Sequence, residues 1–197
     1  MADTDYVIAS GGTGGRFGTV PVARQTPLSG GWLADAASSA SRWIVISSGQ
    51  GGEGMSVETG SFRFQTTVDL TGYNPATAFL DSLRYAADNK LTALRINGTT
   101  VFSQGTEAEE EFGSLIALPA TLGQGLFVSG VNTLTFEVLN TEPPPHLSTT
   151  PVGFRLEGSV SATVPEPTAC LALGAMGTLC ALARRCRAGS VMSDIRH

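Results

Sequence analysis

The sequence predicts an all-β fold: a jelly-roll-like antiparallel β-sandwich followed by a single C-terminal transmembrane helix. Three observations lead there. Apolar residues alternate with polar ones in several short runs. Gly, Pro and Ser cluster between those runs. Near the end of the chain, one uncharged stretch runs into a group of arginines.

The alternation is clearest in "SFRFQTTVDL", where Phe62, Phe64, Thr66, Val68 and Leu70 are interleaved with Arg63, Gln65, Thr67 and Asp69. A period of two places one set on a buried face and the other outside. "NTLTFEVLN" turns Leu134, Phe136 and Val138 inward and Thr135 and Glu137 outward. "VGFRLEGSV" sets Val152, Phe154, Leu156 and Val160 against Arg155, Glu157 and Ser159. "RWIVIS", Arg42–Ser47, is a near-continuous apolar run and reads as a central strand. In "LTALRINGTTVF" the Asn97-Gly98 pair marks a hairpin, because both residues tolerate positive φ. Thr77–Asp88 suits a helix through Phe79, Leu83 and Ala86/Ala87, and a strand through Phe79, Leu83 and Tyr85; the adjoining hairpin favours a strand. Loops are expected over 10–31, 48–60, 103–111, 119–130 and 140–151. Short strands at this spacing suit a sandwich.

With 197 residues there is room for one domain of ordinary size and short appendages. Residues 1–163 hold eight Lys/Arg against fifteen Asp/Glu, whereas four Arg face one Asp from Arg184 onward. An acidic body argues against a nucleic-acid partner, since phosphates need a basic face. The three cysteines, Cys170, Cys180 and Cys186, all lie in or beside the terminal apolar run. The body therefore has neither a disulfide framework nor a cysteine metal site. His146 and His197 have no ligand-spaced partner, and no metal site is assigned.

Catalytic patterns are missing too. "SGGTGGRFG" (Ser10–Gly18) lacks the Lys-Ser/Thr that completes a phosphate loop and reads as a flexible loop. No Gly-x-Ser-x-Gly, His-Glu-x-x-His or Cys/His constellation occurs, so no catalytic residue is assigned. Asn97-Gly98-Thr99 matches a glycosylation sequon, but the turn accounts for the same residues. Glu107, Glu109, Glu110 and Glu111 form an acidic run that reads as a solvated loop, with calcium as the competing use. Asp88-Asn89 is ordinary turn chemistry, or else a polar loop that meets a ligand. Trp32, Trp43, Tyr73 and Tyr85 are candidate rings for a sugar to stack on. Trp43 sits in an apolar run and reads as core, so Trp32, Tyr85, Asp88 and Asn89 remain as candidate ligand-binding residues.

At the other end of the chain, Thr168–Ala183 carries no charge. As a helix it would span roughly 24 Å, somewhat less than the ~30 Å hydrocarbon core. A buried core helix is the competing reading of a run this short. Two features favour the membrane. The run follows Pro165 and Pro167, and it is followed at once by Arg184, Arg185 and Arg187, which would hold that end in the cytoplasm.

"VPEP" (Val164, Pro165, Glu166, Pro167), the apolar run and "ARRCR" together resemble the PEP-CTERM sorting signal. The resemblance implies a bacterial envelope protein, held briefly in the inner membrane and processed by an exosortase-like enzyme. Such proteins accompany exopolysaccharide and biofilm. They are exported with a leader, whereas "MADTDYVIASGG" has no basic start and apolar run. The resemblance therefore implies an in-frame leader upstream of Met1. Ten residues follow Ala183–Arg187, more than the family's signals usually carry.

"SRWI", "TTVDLTGYNPATA", "AADN", "RINGT" and "VSGVNTLTFEVLN" are similar to a body common among those proteins, resembling a galactose-binding-like jelly roll. The expected organisation is an extracellular sandwich over 1–163, a sorting signal over 164–187 with its helix at about 168–183, and a cytoplasmic tail over 188–197. The expected role is non-catalytic: an exported surface protein that contacts exopolysaccharide or other glycans. The alternative is a structural or adhesive matrix protein without a defined ligand.

Overall fold

The computed structural model describes residues 7–10, 22–23, 31–34, 41, 43–45, 59–107, 110–141, 152–165 and 190–196. Among them every regular element is a strand, and the strands form two antiparallel sheets. In chain order they are β1 (Val7–Ser10), β2 (Val22–Ala23), β3 (Ile44–Val45), β4 (Gly60–Asp69), β5 (Asn74–Asp88) and β6 (Lys90–Ile96). There follow β7 (Thr99–Ser103), β8 (Glu111–Ala117), β9 (Val131–Asn140), β10 (Gly153–Thr163) and β11 (Ser190–Arg196). One sheet runs β1-β4-β9-β6-β7. The other runs β2-β3-β10-β5-β8, with β11 also paired to β10.

The sheets face each other through the residues whose alternation marked them. β4 and β9 pair without a register shift, setting Phe62 opposite Val138 and Phe64 opposite Phe136. All four side chains are fully buried. Phe154, from the other sheet, packs on Phe64 at 5.6 Å and on Phe136 at 4.9 Å between ring centroids. Leu91, Leu94 and Ile96 of β6 and Leu156 and Val160 of β10 complete this centre. Burying each such side chain contributes about 1.5–3 kcal/mol.

Thr77–Asp88 is strand throughout, within β5. Its ambiguity in the sequence has a structural cause. The β5–β10 ladder slips between the Asp81–Ser159 and Arg84–Glu157 pairs, and Ser82 takes a φ of 53°. Such a bulge switches the side-chain parity. Ala78 and Leu80 point into the core before it, and Leu83 and Tyr85 after it. Phe79, expected on the inward face, is only partly buried as a result.

The Asn97-Gly98 hairpin forms between β6 and β7, with φ of 50° and 85° at the two turn residues. Glycine occupies the second of these without the Cβ penalty of left-handed backbone. Other expectations are corrected. The loop expected over 10–31 contains β2. The acidic run ends inside β8, not in a loop, because Glu111 opens that strand. The central strand expected over Arg42–Ser47 needs no correction: Ile44–Val45 pairs with both β2 and β10, and Arg42, Ile46 and Ser47 lie outside the described residues. Arg155, expected to face outward, is 3 % exposed. It does lie on the outer side of its sheet, but Ala34 and Ser41 supply it with partners there.

Candidate functional site

Three of the four candidate ligand residues, Trp32, Tyr85 and Asn89, are linked through the start of β8. Asn89 accepts a hydrogen bond at its carbonyl from the Glu111 amide at 2.8 Å. The Glu111 carboxylate accepts from the Leu91 amide at 2.9 Å and from Gln104 Nε2 at 2.8 Å. Gln104 Nε2 also reaches the Tyr85 hydroxyl at 3.2 Å. The next residue, Phe112, stacks on Trp32 at 6.0 Å and accepts at its carbonyl from the Leu33 amide. Trp32 in turn packs on Trp43 at 4.5 Å, and Trp43 Nε1 donates to the Leu33 carbonyl.

This assembly is mostly interior. Tyr85, Asp88 and Asn89 are 1 %, 5 % and 7 % exposed. Tyr85 thus belongs to the core and presents no ring face to solvent, while its hydroxyl serves the Gln104–Glu111 network. Asn89 is held by its backbone N–H, which donates to the Leu139 carbonyl at 3.0 Å, and by its side chain, whose Oδ1 accepts from the Thr141 amide at 2.7 Å. Of the four, Trp32 alone is not buried, being partly exposed. Trp43 is fully buried, and Tyr73 packs partly buried against the core.

Asp88 is electrostatically unusual. Burial, and then the nearby Glu110 charge, push its carboxyl up to about 7. Desolvation penalises the charged form and a neighbouring carboxylate adds repulsion. Among the described residues, no group of three His, Cys, Asp or Glu side chains is placed to hold a metal ion. Glu109 of the acidic run lies outside the described residues.

Sequence reasoning missed Glu111 and Gln104. The acidic run looked uniformly solvated, yet its last member directly precedes the ring of Phe112. Glu111 is 7 % exposed and ties β8 to β6, whereas Glu107 and Glu110 stay at the surface.

A second polar surface lies on the outer side of the β4-β9-β6 sheet. Glu137 sits between Arg63 and Arg95, at 3.5 and 3.6 Å from their nitrogens. Beside it Gln65 donates to Thr135 at 2.9 Å.

At the other end of the body, β10 stops at Thr163, and Thr163, Val164 and Pro165 are all exposed. Glu166, Pro167, Arg184, Arg185, Arg187 and the run 168–183 lie outside the described residues. Among the described residues, no helix is long and apolar enough to cross a membrane. Of the tail expected over 188–197, Ser190–Arg196 is described. This stretch is β11, antiparallel to β10, from the Thr163–Ser190 pair to the Glu157–Arg196 pair.

No protein-family model matches the chain, and no curated protein matches it.

Proposed function

We propose that this chain is an exported envelope protein, sorted by an exosortase-like membrane enzyme through residues 164–187. Its body acts as a non-catalytic module that contacts exopolysaccharide or other glycans of a biofilm matrix. The observation that carries the sorting reading is the junction at the end of β10. β10 ends at Thr163, and the Val-Pro-Glu-Pro element starts at the next residue, where Val164 is 49 % exposed. An enzyme at the membrane surface needs its recognition element outside the packed body. Pro165 suits that role, since proline cannot extend a strand ladder and biases the preceding residue toward extended backbone.

The downstream run would rest in the bilayer while Arg184, Arg185 and Arg187 stop it from passing through. The test is the full chain placed behind a secretory leader and tagged at both ends of the mature chain, in a bacterium that carries an exosortase. Wild type should lose its C-terminal tag at the membrane. Replacing the three arginines with Gln should impair both retention and processing. Unchanged processing of that variant would overturn the sorting reading.

For the body, Trp32 is the ring a sugar would stack on, backed by Phe112 and Trp43. A Trp32→Ala chain that still folds should bind the host exopolysaccharide less tightly in a sedimentation assay. One observation favours the alternative, a structural or adhesive matrix protein without a defined ligand. Tyr85, Asp88 and Asn89 are committed to internal packing, which leaves Trp32 without a ring or polar partner from that set at the surface. Equal sedimentation of the wild-type and Trp32→Ala chains would select this second reading.

A further inference from the structure

A strand has two edges, and the edges of β10 are used unequally. β5 lines one of them from Gly153 to Thr163. On the other, β3 covers Gly153 and Phe154, and β11 covers Glu157–Thr163 in an unbroken register of seven pairs. Without β11, that stretch would present a row of unpaired amides and carbonyls roughly 23 Å long. The chain leaves the sandwich at Thr163, and Ser190 returns to lie directly opposite it.

Paired strands lie about 4.8 Å apart, whereas the two sides of a hydrocarbon core are about 30 Å apart. If the uncharged run spans a bilayer and the arginines stay on the far side, Ser190 is on the far side as well. It then cannot pair with Thr163. Resting on the reading of 164–187 as a membrane-directed tail, we propose that the outer edge of β10 is a strand-docking site. Its occupant is the chain's own Ser190–Arg196. Docking of this strand and insertion of the tail exclude one another.

The device has a use at each stage. Away from the membrane, β11 closes an edge that would otherwise invite edge-to-edge association. At the membrane, the tail withdraws and leaves the edge of β10 open beside the sorting element at Val164.

The test uses the full chain with and without phosphatidylethanolamine/phosphatidylglycerol vesicles. Hydrogen exchange over 157–163 reads the edge, and flotation with the vesicles reads insertion. A second protein carries Ser161→Cys and Met192→Cys, a facing pair, with Cys170, Cys180 and Cys186 changed to Ala. The expected result is protection of the β10 edge in buffer and about tenfold faster exchange there on vesicles. The oxidised pair should stay protected and fail to float until reduced. Flotation of the oxidised chain as readily as the reduced one would overturn the proposal and leave the sorting reading intact. Unprotected edge amides in buffer, with no disulfide formed, would overturn it as well. A reduced chain that stays protected and never floats would remove the membrane reading, and the competition with it.

Discussion

Arg155 and Glu157, two positions apart on β10, meet at 3.2 Å between Arg155 Nη2 and Glu157 Oε1. Ser41 completes a triangle. It accepts from Arg155 Nε and donates to Glu157 Oε1, both at 2.8 Å. Arg84 of β5 reaches the other carboxylate oxygen at 2.7 Å. This cluster holds Ser41 against the outer side of the sheet, and the Ala34 carbonyl accepts from Arg155 Nη1 at 3.4 Å.

Arg155→Ala should destabilise the fold by about 1–3 kcal/mol, because the partly buried Glu157 loses one partner but keeps Arg84 and Ser41. The pH profile of stability should change with it. Burial by itself raises the Glu157 carboxyl, but Ser41, Arg155 and the Arg84 charge outweigh it and hold it below the usual 4.5. A depressed folded value gives stability that is complete above the unfolded value and lost as pH falls through the folded one. Urea unfolding from pH 6 to pH 3 should show this acid loss in wild type and less of it in Arg155→Ala.

Asp88 has the opposite sign. With its folded value raised to about 7, the fold binds the proton more tightly than the unfolded chain does. Its contribution is therefore fullest below about pH 4 and disappears as pH rises to about 7. Asp88→Asn should remove this dependence and stabilise the protein at pH 8 by up to about 4 kcal/mol, at about 1.4 kcal/mol per pH unit. Thermal unfolding at pH 5 and pH 8 measures it. Equal shifts at both values would count against the raised carboxyl.

Gly153 is required by a close approach. A Cβ there would fall 2.5 Å from one Trp32 ring carbon and 2.6 Å from another. Gly153→Ala should displace Trp32 from Trp43 and cost about 1–3 kcal/mol, the usual range for overpacking. The chain has two tryptophans, so fluorescence reports on this pair directly. A red-shifted emission that Trp32→Leu no longer shows in the double variant is the expected signature.

Asn132 is fully buried and saturated. Its Oδ1 accepts from the Val128 amide and Asn97 Nδ2, and its Nδ2 donates to the Val128 and Gly130 carbonyls. Asn132→Ala should cost about 1–3 kcal/mol by leaving such groups without partners. Asn132→Asp should be worse at neutral pH than at pH 4, because a carboxylate cannot donate to two carbonyls. Chemical unfolding of both variants at the two pH values tests this.

The sequence by itself determined the all-β class, the inward faces of β4, β9 and β10, and the Asn97-Gly98 hairpin. Each is a local property: strict alternation, or a pair of residues that accept positive φ. The Val-Pro-Glu-Pro element and the arginines were legible for the same reason, as short contiguous patterns. Only the tertiary structure decided the rest. It buried Tyr85, Asp88 and Asn89, because β8 closes over the β5–β6 corner from more than twenty residues away in the chain. It covered Arg155 with Ala34 and Ser41, partners over a hundred residues distant. It set Ser190–Arg196 on the edge of β10, a placement that backbone pairing specifies and side-chain pattern does not. Alternation says which way a side chain points from its own sheet; what lies beyond it depends on segments that meet only once the chain has folded.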